Sequence, residues 1–362
     1  MRKIALGLMS GTSADGLTVC AVQIRPFQVL HFKNYAYPAA LQQKLLNAFS
    51  LSAPQLSALH FELGHLYAKT VLKFLKDFSL SAREIEVIGS HGQTVYHGPH
   101  DKTPNTLQIG EPSFLSAQIG CPVVSDFRPM DVVLGGEGAP LMPFFDEYLW
   151  GRKTPKILLN VGGISNFSVV GRKVNTFGFD VGPGNTLMDL TCQRFFKKPF
   201  DNGGALAAGG TPDKELVCRL LAQPYFLQKP PKSLDKNAFG TDYLKKYFLS
   251  RQFQTLYDLL ATLTWFTAAA VAKAVEDFVP APCQKEVIVS GGGCYNKTLL
   301  SYLQTLLPQV KVTTTLDYGI DPQAKESAAF ALFGWLALHR KINHCAAATG
   351  AAHAAILGKI TL

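Results

Sequence analysis

The sequence predicts an α/β protein that makes the same half twice, each half a mixed sheet with covering helices, leaving a central cleft. Two recurrences and the length carry this prediction. Lys3-Ile-Ala-Leu6 leads through a Gly/Ser/Thr-rich turn into the apolar run Leu17 to Ile24, and Lys156-Ile-Leu-Leu159 leads through Gly162-Gly163 into Ile164 to Val170. Further on, Glu86-Val-Ile-Gly-Ser-His-Gly92 is echoed by Glu286-Val-Ile-Val-Ser-Gly-Gly292. At roughly 100 to 200 residues per domain, 362 residues read as two domains.

Each apolar run is short and stops at a glycine turn, the mark of a strand. Val29 to Tyr35 and Val174 to Asp180 supply a third strand to each meander. Between strands, apolar residues at three- and four-residue spacing predict helices over Leu56 to Phe78, Asp213 to Leu221, Phe253 to Phe278, Asn296 to Leu306 and Pro322 to His339. Asp321-Pro322 opens the last with a capping carboxylate and a first-turn proline. The domains are drawn as 1–150 and 151–362, the boundary near Trp150 to Pro155 and the last helix a candidate to cross back.

Composition excludes several classes. Apolar residues make up 47% and charged residues 17%, which is enough oily surface for a core and rules out intrinsic disorder. Seven scattered cysteines without a CxxC pair support neither a disulfide framework nor a zinc ribbon, and fit a reducing cytoplasm. Met1 to Leu8 is too short for an apolar targeting region, so no signal peptide is expected. Leu259 to Ala272 carries three threonines and is too short for a membrane span, and reads as a buried helix. The net charge of +9 comes from 35 Lys+Arg against 26 Asp+Glu. Apart from Lys229, Lys232, Lys236, Lys245, Lys246 and Arg251 the cations are spread out, so no nucleic acid is expected and the excess reads as solvated surface that attracts small anions.

Four glycine-rich segments end strands: Ser10 to Gly16, Asn160 to Gly163, Asp180 to Asn185 and Ser290 to Gly293. Clustered amides in such turns form concave anion sites. None is a Walker A or Rossmann fingerprint, yet four in duplicated halves favour a nucleotide. Asp180, before one such turn, is placed to take a proton or position magnesium; a helix cap is the plainer role. Asp126, Arg128 and Asp131, ahead of Gly135 to Pro140, suit a polyhydroxylated anion. His91, His97 and His100 lack metal-ligand spacing, which leaves hydrogen bonding for His91. Glu326 is a candidate by its place early in the last helix.

Taken in order, Met9 to Gly16, Ser90 to Thr94, Leu107 to Gly110, Ser125 to Arg128 with Asp131, Gly138 to Leu141, Asn160 to Asn166, Gly178 to Asn185, Ser290 to Gly293 with Asn296, and Thr349 to Ala351 resemble the anhydro-N-acetylmuramic acid kinases over nearly the whole chain. Gly178 to Asn185 is specific to that family. The resemblance implies two ribonuclease-H-like domains of the actin-like ATPase and sugar-kinase type. It also implies a cytoplasmic enzyme of cell-wall recycling that opens the 1,6-anhydro ring of anhydro-N-acetylmuramic acid and phosphorylates O6 with ATP and Mg²⁺. By the same resemblance Asp180 is the catalytic base. ATP falls on Gly11, Thr12, Ser13, Ala14, Asp15, Gly16, Leu17, Thr18, Gly182, Gly184, Asn185, Gly291, Gly292 and Gly293. The sugar falls on His91, Asp126, Arg128, Asp131 and Glu326.

The chain departs from the family pattern at Thr18 (Asp in the family), at Glu137 (Gln) and at Ser233-Leu-Asp-Lys-Asn237 (Ser-Thr-Gly-Arg-Glu). The Mg²⁺ ligands are left open, a homodimer is kept as a candidate assembly, and no membrane partner is expected. Two other readings stay open: an actin-like nucleotide switch or scaffold without sugar chemistry, and a kinase for an ordinary hexose.

Overall fold

The computed structural model describes residues 3–151, 154–171, 174, 176–230, 232–235 and 238–362. Its strands are β1 (Ile4–Met9), β2 (Gly16–Gln23), β3 (Gln28–Ala36), β4 (Ile85–Ser90), β5 (Gln93–Gly98), β6 (Asn105–Ile109), β7 (Val123–Ser125), β8 (Lys156–Val161), β9 (Ile164–Val170), β10 (Phe177–Pro183), β11 (Glu286–Ser290), β12 (Lys311–Thr314) and β13 (Lys359–Thr361). The chain forms two compact units, Met1–Phe145 with Gly319–Leu362, and Asp146–Tyr318.

The first unit's sheet runs β13-β7-β4-β1-β2-β3, and the second's runs β10-β9-β8-β11-β12. In the first, β1 is antiparallel to β2 and parallel to β4, which is parallel to β7. In the second, β8 is antiparallel to β9 and parallel to β11, which is parallel to β12. With β13 set aside, both sheets have one order: third, second, first, fourth, fifth strand. The sequence echo is therefore an echo of topology, the ribonuclease-H-like one, with β4 and β11 in the same place. Both are buried along nearly their whole length, which is why they read as apolar runs without alternation. The first unit adds an antiparallel ladder of β5 with β6 that the sequence patterning does not announce.

The helix Ala53–Asp77 starts at a capping box, with Ser52 N–H donating to Gln55 Oε1 at 3.0 Å, and buries Leu59, Leu63, Tyr67, Val71 and Phe74 along one face. The helix Leu256–Phe278 opens on a Thr255/Asp258 capping box. It is long and apolar enough to cross a membrane, but 89% of its most apolar 18-residue stretch is buried inside the second unit.

The helix Pro322–Leu338, with Asp321 capping Gln323 N–H at 2.9 Å, belongs to the first unit. The last helix, a candidate to cross back, does so, and the division at 1–150 and 151–362 is redrawn with residues 319–362 in the first unit. The physical reason is two strand glycines. A methyl group at Gly7 would lie 1.7 Å from the Ser327 carbonyl oxygen, and one at Gly89 would lie 1.9 Å from that of Phe330. Helix backbone thus rests directly on strand backbone, an approach only glycine permits. Arg152 and Lys153, inside the expected boundary, lie outside the described residues.

Candidate active site

Each unit carries its own cluster of candidate residues. In the first, the turn between β1 and β2 is held from several sides. Ala14 N–H donates to Gly11 O at 3.0 Å, with Ala14 itself at φ 50°. Gln93 reaches in from β5, its Nε2 donating to Gly11 O at 3.1 Å and its Oε1 accepting from Ser10 Oγ at 2.5 Å. Tyr37 donates its hydroxyl to Ser10 Oγ at 2.9 Å and its N–H to Asp15 O at 3.0 Å. Thr12, Ser13 and Asp15 are exposed, and a methyl group at Gly11 would meet only Ser13 Oγ, at 3.8 Å. An anion can therefore approach this backbone. Gly16, Leu17 and Thr18 belong to β2; Gly16 and Leu17 are buried and Thr18 is half-buried, so they support the turn from behind.

His91 follows β4, its N–H bonded to Leu8 O at 3.0 Å. Its Nδ1 lies 2.9 Å from Gly92 O and its Nε2 accepts from Arg128 Nε at 3.0 Å, so the ring is neutral with the proton on Nδ1. Burial, reinforced by the Arg128 charge, pushes its pKa down to about 3. Arg128 also donates from Nη1 to Gly138 O at 2.7 Å, and Glu326, exposed on the helix Pro322–Leu338, lies within electrostatic reach of it. His97 joins this group from β5: its Cε1 would lie 3.0 Å from a methyl group on Gly138. Burial and Arg128 lower its proton affinity.

The acids flanking Arg128 are engaged elsewhere. The sequence reads Asp131 as an acceptor for sugar hydroxyls, but it is fully buried. Its Oδ2 accepts from Gly138 N–H at 2.5 Å, and its Oδ1 meets Thr349 Oγ1 at 2.6 Å and His344 Nε2 at 2.5 Å. Asp131 thereby pins the Gly135 to Gly138 turn that carries the carbonyl on Arg128. Asp126 starts the helix Phe127–Val133 at φ 53° and accepts from Lys359 Nζ at 2.9 Å.

In the second unit the predicted turn from Asp180 to Asn185 is shorter than expected. β10 continues through Pro183, with a register shift between Asp180 and Gly182 that lets Gly182 pair with Ser165. The ladder resumes after a bulge, which turns the strand locally at Asp180. Asp180 N–H donates to Lys232 O at 3.2 Å, its Oδ2 accepts from Leu234 N–H at 2.8 Å, and its carbonyl accepts from Tyr225 Oη at 2.5 Å. Burial raises its carboxyl above the ordinary range, and the Leu234 bond opposes that rise.

Beside it, three glycine turns meet. Asn185 donates from N to Gly162 O at 2.7 Å and from Nδ2 to Val161 O at 3.0 Å, and Gly184 N–H donates to Gly163 O at 3.0 Å. Gly292 is exposed, 3.2 Å from Asn185 Nδ2 measured from an added methyl group. Gly291 sits at φ 74°, a conformation that favours glycine. Gly184 and Gly293 are buried against Gly162 and Val161 and serve packing. Three features escape the sequence reading. Asp189, on the helix Thr186–Thr191, is raised to about 6 by burial. Lys232, read as part of a surface cluster, is buried, and Tyr225 has no motif around it. Lys236 and Asn237, in the departing run, lie outside the described residues.

A family model described as anhydro-N-acetylmuramic acid kinase matches residues 3–362. Relatives carrying that name include one from Caldanaerobacter subterraneus subsp. tengcongensis, 36% identical over 99% of this chain and 97% of its own. One from Coxiella burnetii is 38% identical over 98% and 96%, and one from Sulfurimonas denitrificans is 34% identical over 99% and 100%.

Proposed function

The chain belongs to the anhydro-N-acetylmuramic acid kinase family, and from that premise we propose how its residues share the reaction. The enzyme is an ATP-dependent kinase that opens the 1,6-anhydro ring of anhydro-N-acetylmuramic acid and phosphorylates O6, giving N-acetylmuramic acid 6-phosphate and ADP.

In the anhydro sugar O6 is bonded to the anomeric carbon, so no free hydroxyl is available until that bond breaks. Asp180 takes a proton from water as the water oxygen bonds to the anomeric carbon; the C1–O6 bond breaks and O6 forms its new bond to the γ-phosphorus as ADP leaves. The single observation that carries this role is the environment of Asp180: a half-buried carboxylate at a strand bulge, fixed by Leu234 N–H and raised in proton affinity. A raised proton affinity makes it a stronger base.

The exposed amides of the first turn and of Gly292 receive ATP phosphates. Arg128, oriented by His91 and Gly138, pairs with the lactyl carboxylate, and Glu326 accepts from sugar hydroxyls. Magnesium takes one or two carboxylates beside phosphate oxygens, and the exposed Asp15 fits that demand. Bound there, it would offset charge on the transferring phosphoryl group. The seven free cysteines suit a cytoplasmic location. The test incubates the protein with ATP, magnesium and anhydro-N-acetylmuramic acid. ADP and sugar 6-phosphate are expected in equal amounts, with glucose a poor acceptor; ADP release indifferent to the sugar would overturn the reading.

A further inference from the structure

Lys232 is a lysine kept from water, 8% exposed, and a buried ammonium needs compensation. Its Nζ lies 4.8 Å from the ring centre of Tyr225, 4.8 Å from that of Phe278 and 5.4 Å from that of Phe179, and donates to Tyr225 O at 3.1 Å. Three aromatic rings and one carbonyl stand in for its hydration. Two of these rings lead back to Asp180 directly, and Phe278 does so through Phe179, their ring centres 5.7 Å apart. Phe179 precedes it in β10, Tyr225 donates to its carbonyl, Lys232 O accepts its N–H, and Leu234 N–H holds its Oδ2. The residues close a ring in which the caged ammonium fastens the strap 232–234 and the strap fastens the carboxylate.

We propose that Lys232 is a positioning residue for Asp180: by filling the cage of Phe179, Tyr225 and Phe278 it holds the backbone strap that orients the carboxylate. The inference rests on Asp180 acting as the base. The charged and titratable groups around the ring are Tyr225 beside Asp180, and Asp277 and Lys273 beside Lys232. Releasing the strap removes the Leu234 bond that favours the ionised carboxylate, so the carboxyl rises further.

Steady-state kinetics on the full chain test this with Lys232→Met, which keeps the stem and loses the charge. The expected result is a fall in kcat of about tenfold to hundredfold, an unchanged KM for ATP, and a shift of the acid limb of the pH profile to higher pH. Lys232→Arg should recover most of both. Phe278→Leu, which removes one wall and keeps the lysine, should move both readouts the same way by less, and carries the test alone if Lys232→Met does not fold. Wild-type kcat and acid limb in Lys232→Met overturn the proposal, as does a loss of kcat with an unmoved pH profile and a lowered melting temperature. Asp180→Asn separates the two levels: if it turns over normally the base assignment fails, whereas an inactive Asp180→Asn beside a fully active Lys232→Met removes only the role of Lys232.

Discussion

The two units share a strand order but solve the same structural position differently. After β4 the first unit has His91, a neutral imidazole that holds an arginine; after β11, at the equivalent place, the second has Gly291 and Gly292, which offer backbone. The first turn, from Ser10 to Asp15, is propped by the distant side chains of Gln93 and Tyr37, whereas the second, at Gly162 and Gly163, is tied by one following segment through the backbone of Gly184 and Asn185 and the Thr186 hydroxyl. The duplicated sheet therefore fixes where a site can be, and the residues past each strand end decide which chemistry it does. On the proposed reading, Arg128 and Glu326 hold the sugar and the Ser10 to Asp15 amides hold phosphate in one unit, while the other supplies the Gly292 amide for phosphate and Asp180 for proton transfer.

If that division holds, the largest single loss comes from the second unit's carboxylate. Asp180→Asn keeps the size and can keep the Leu234 N–H bond through its oxygen, but it cannot take a proton. A fall in kcat of about 10² to 10⁴-fold is expected, with ATP affinity, measured by titration calorimetry, nearly unchanged. An active variant would take the base away from Asp180.

Glycines separate scaffold from site. Gly7→Ala drives a methyl group into the Ser327 carbonyl, so it should destabilise the chain by about 1 to 3 kcal/mol in urea unfolding, the usual cost of overpacking. Gly11→Ala makes one ordinary contact, with Ser13 Oγ at 3.8 Å; it should leave the unfolding midpoint in place and raise KM for ATP. Equal stability losses in the two variants would erase the distinction.

These glycines also show what the sequence discloses. The meanders, the echo of β4 in β11 and the long helices were legible because period, capping residues and glycine turns are local signals. That residues 319–362 return to the first sheet could be named as a candidate but not fixed, because its physical basis lies in Gly7 and Gly89, small residues inside apolar strands whose meaning depends on a helix far along the chain. The acids around Arg128 misled for a related reason. Asp131 looks like a surface carboxylate until Thr349 and His344, distant in sequence, come to cover it. The cage of Lys232 is assembled from residues 179, 225 and 278, and no spacing rule links them.

A smaller effect probes the first unit's side-chain grip. Arg128→Lys keeps the charge but loses the planar fork that joins His91 Nε2 to Gly138 O. KM for the sugar should rise about tenfold, or roughly 1.4 kcal/mol, while KM for ATP stays put. A matching rise in both would mean that Arg128 serves the whole unit and not the sugar.

The smallest expected effect concerns His91 itself. Its folded pKa of about 3 lies below the ordinary value of 6.5, so between those values the unfolded chain binds more protons than the folded one. The contribution of His91 to stability is therefore complete above the unfolded pKa and is lost as pH falls from about 6.5 toward 3. Between pH 7 and pH 6 the loss from this one group is about 0.7 kcal/mol. His91→Gln can repeat both contacts, with its oxygen toward Arg128 and its amide toward Gly92 O, and it carries no proton to gain. The urea midpoint of the wild type should thus fall relative to that of His91→Gln as pH is lowered across this window, whatever their offset at pH 8. Parallel curves would show that the imidazole is free to charge in the folded state, and the contrast between a neutral, arginine-holding histidine in one unit and bare glycine in the other would lose its electrostatic basis.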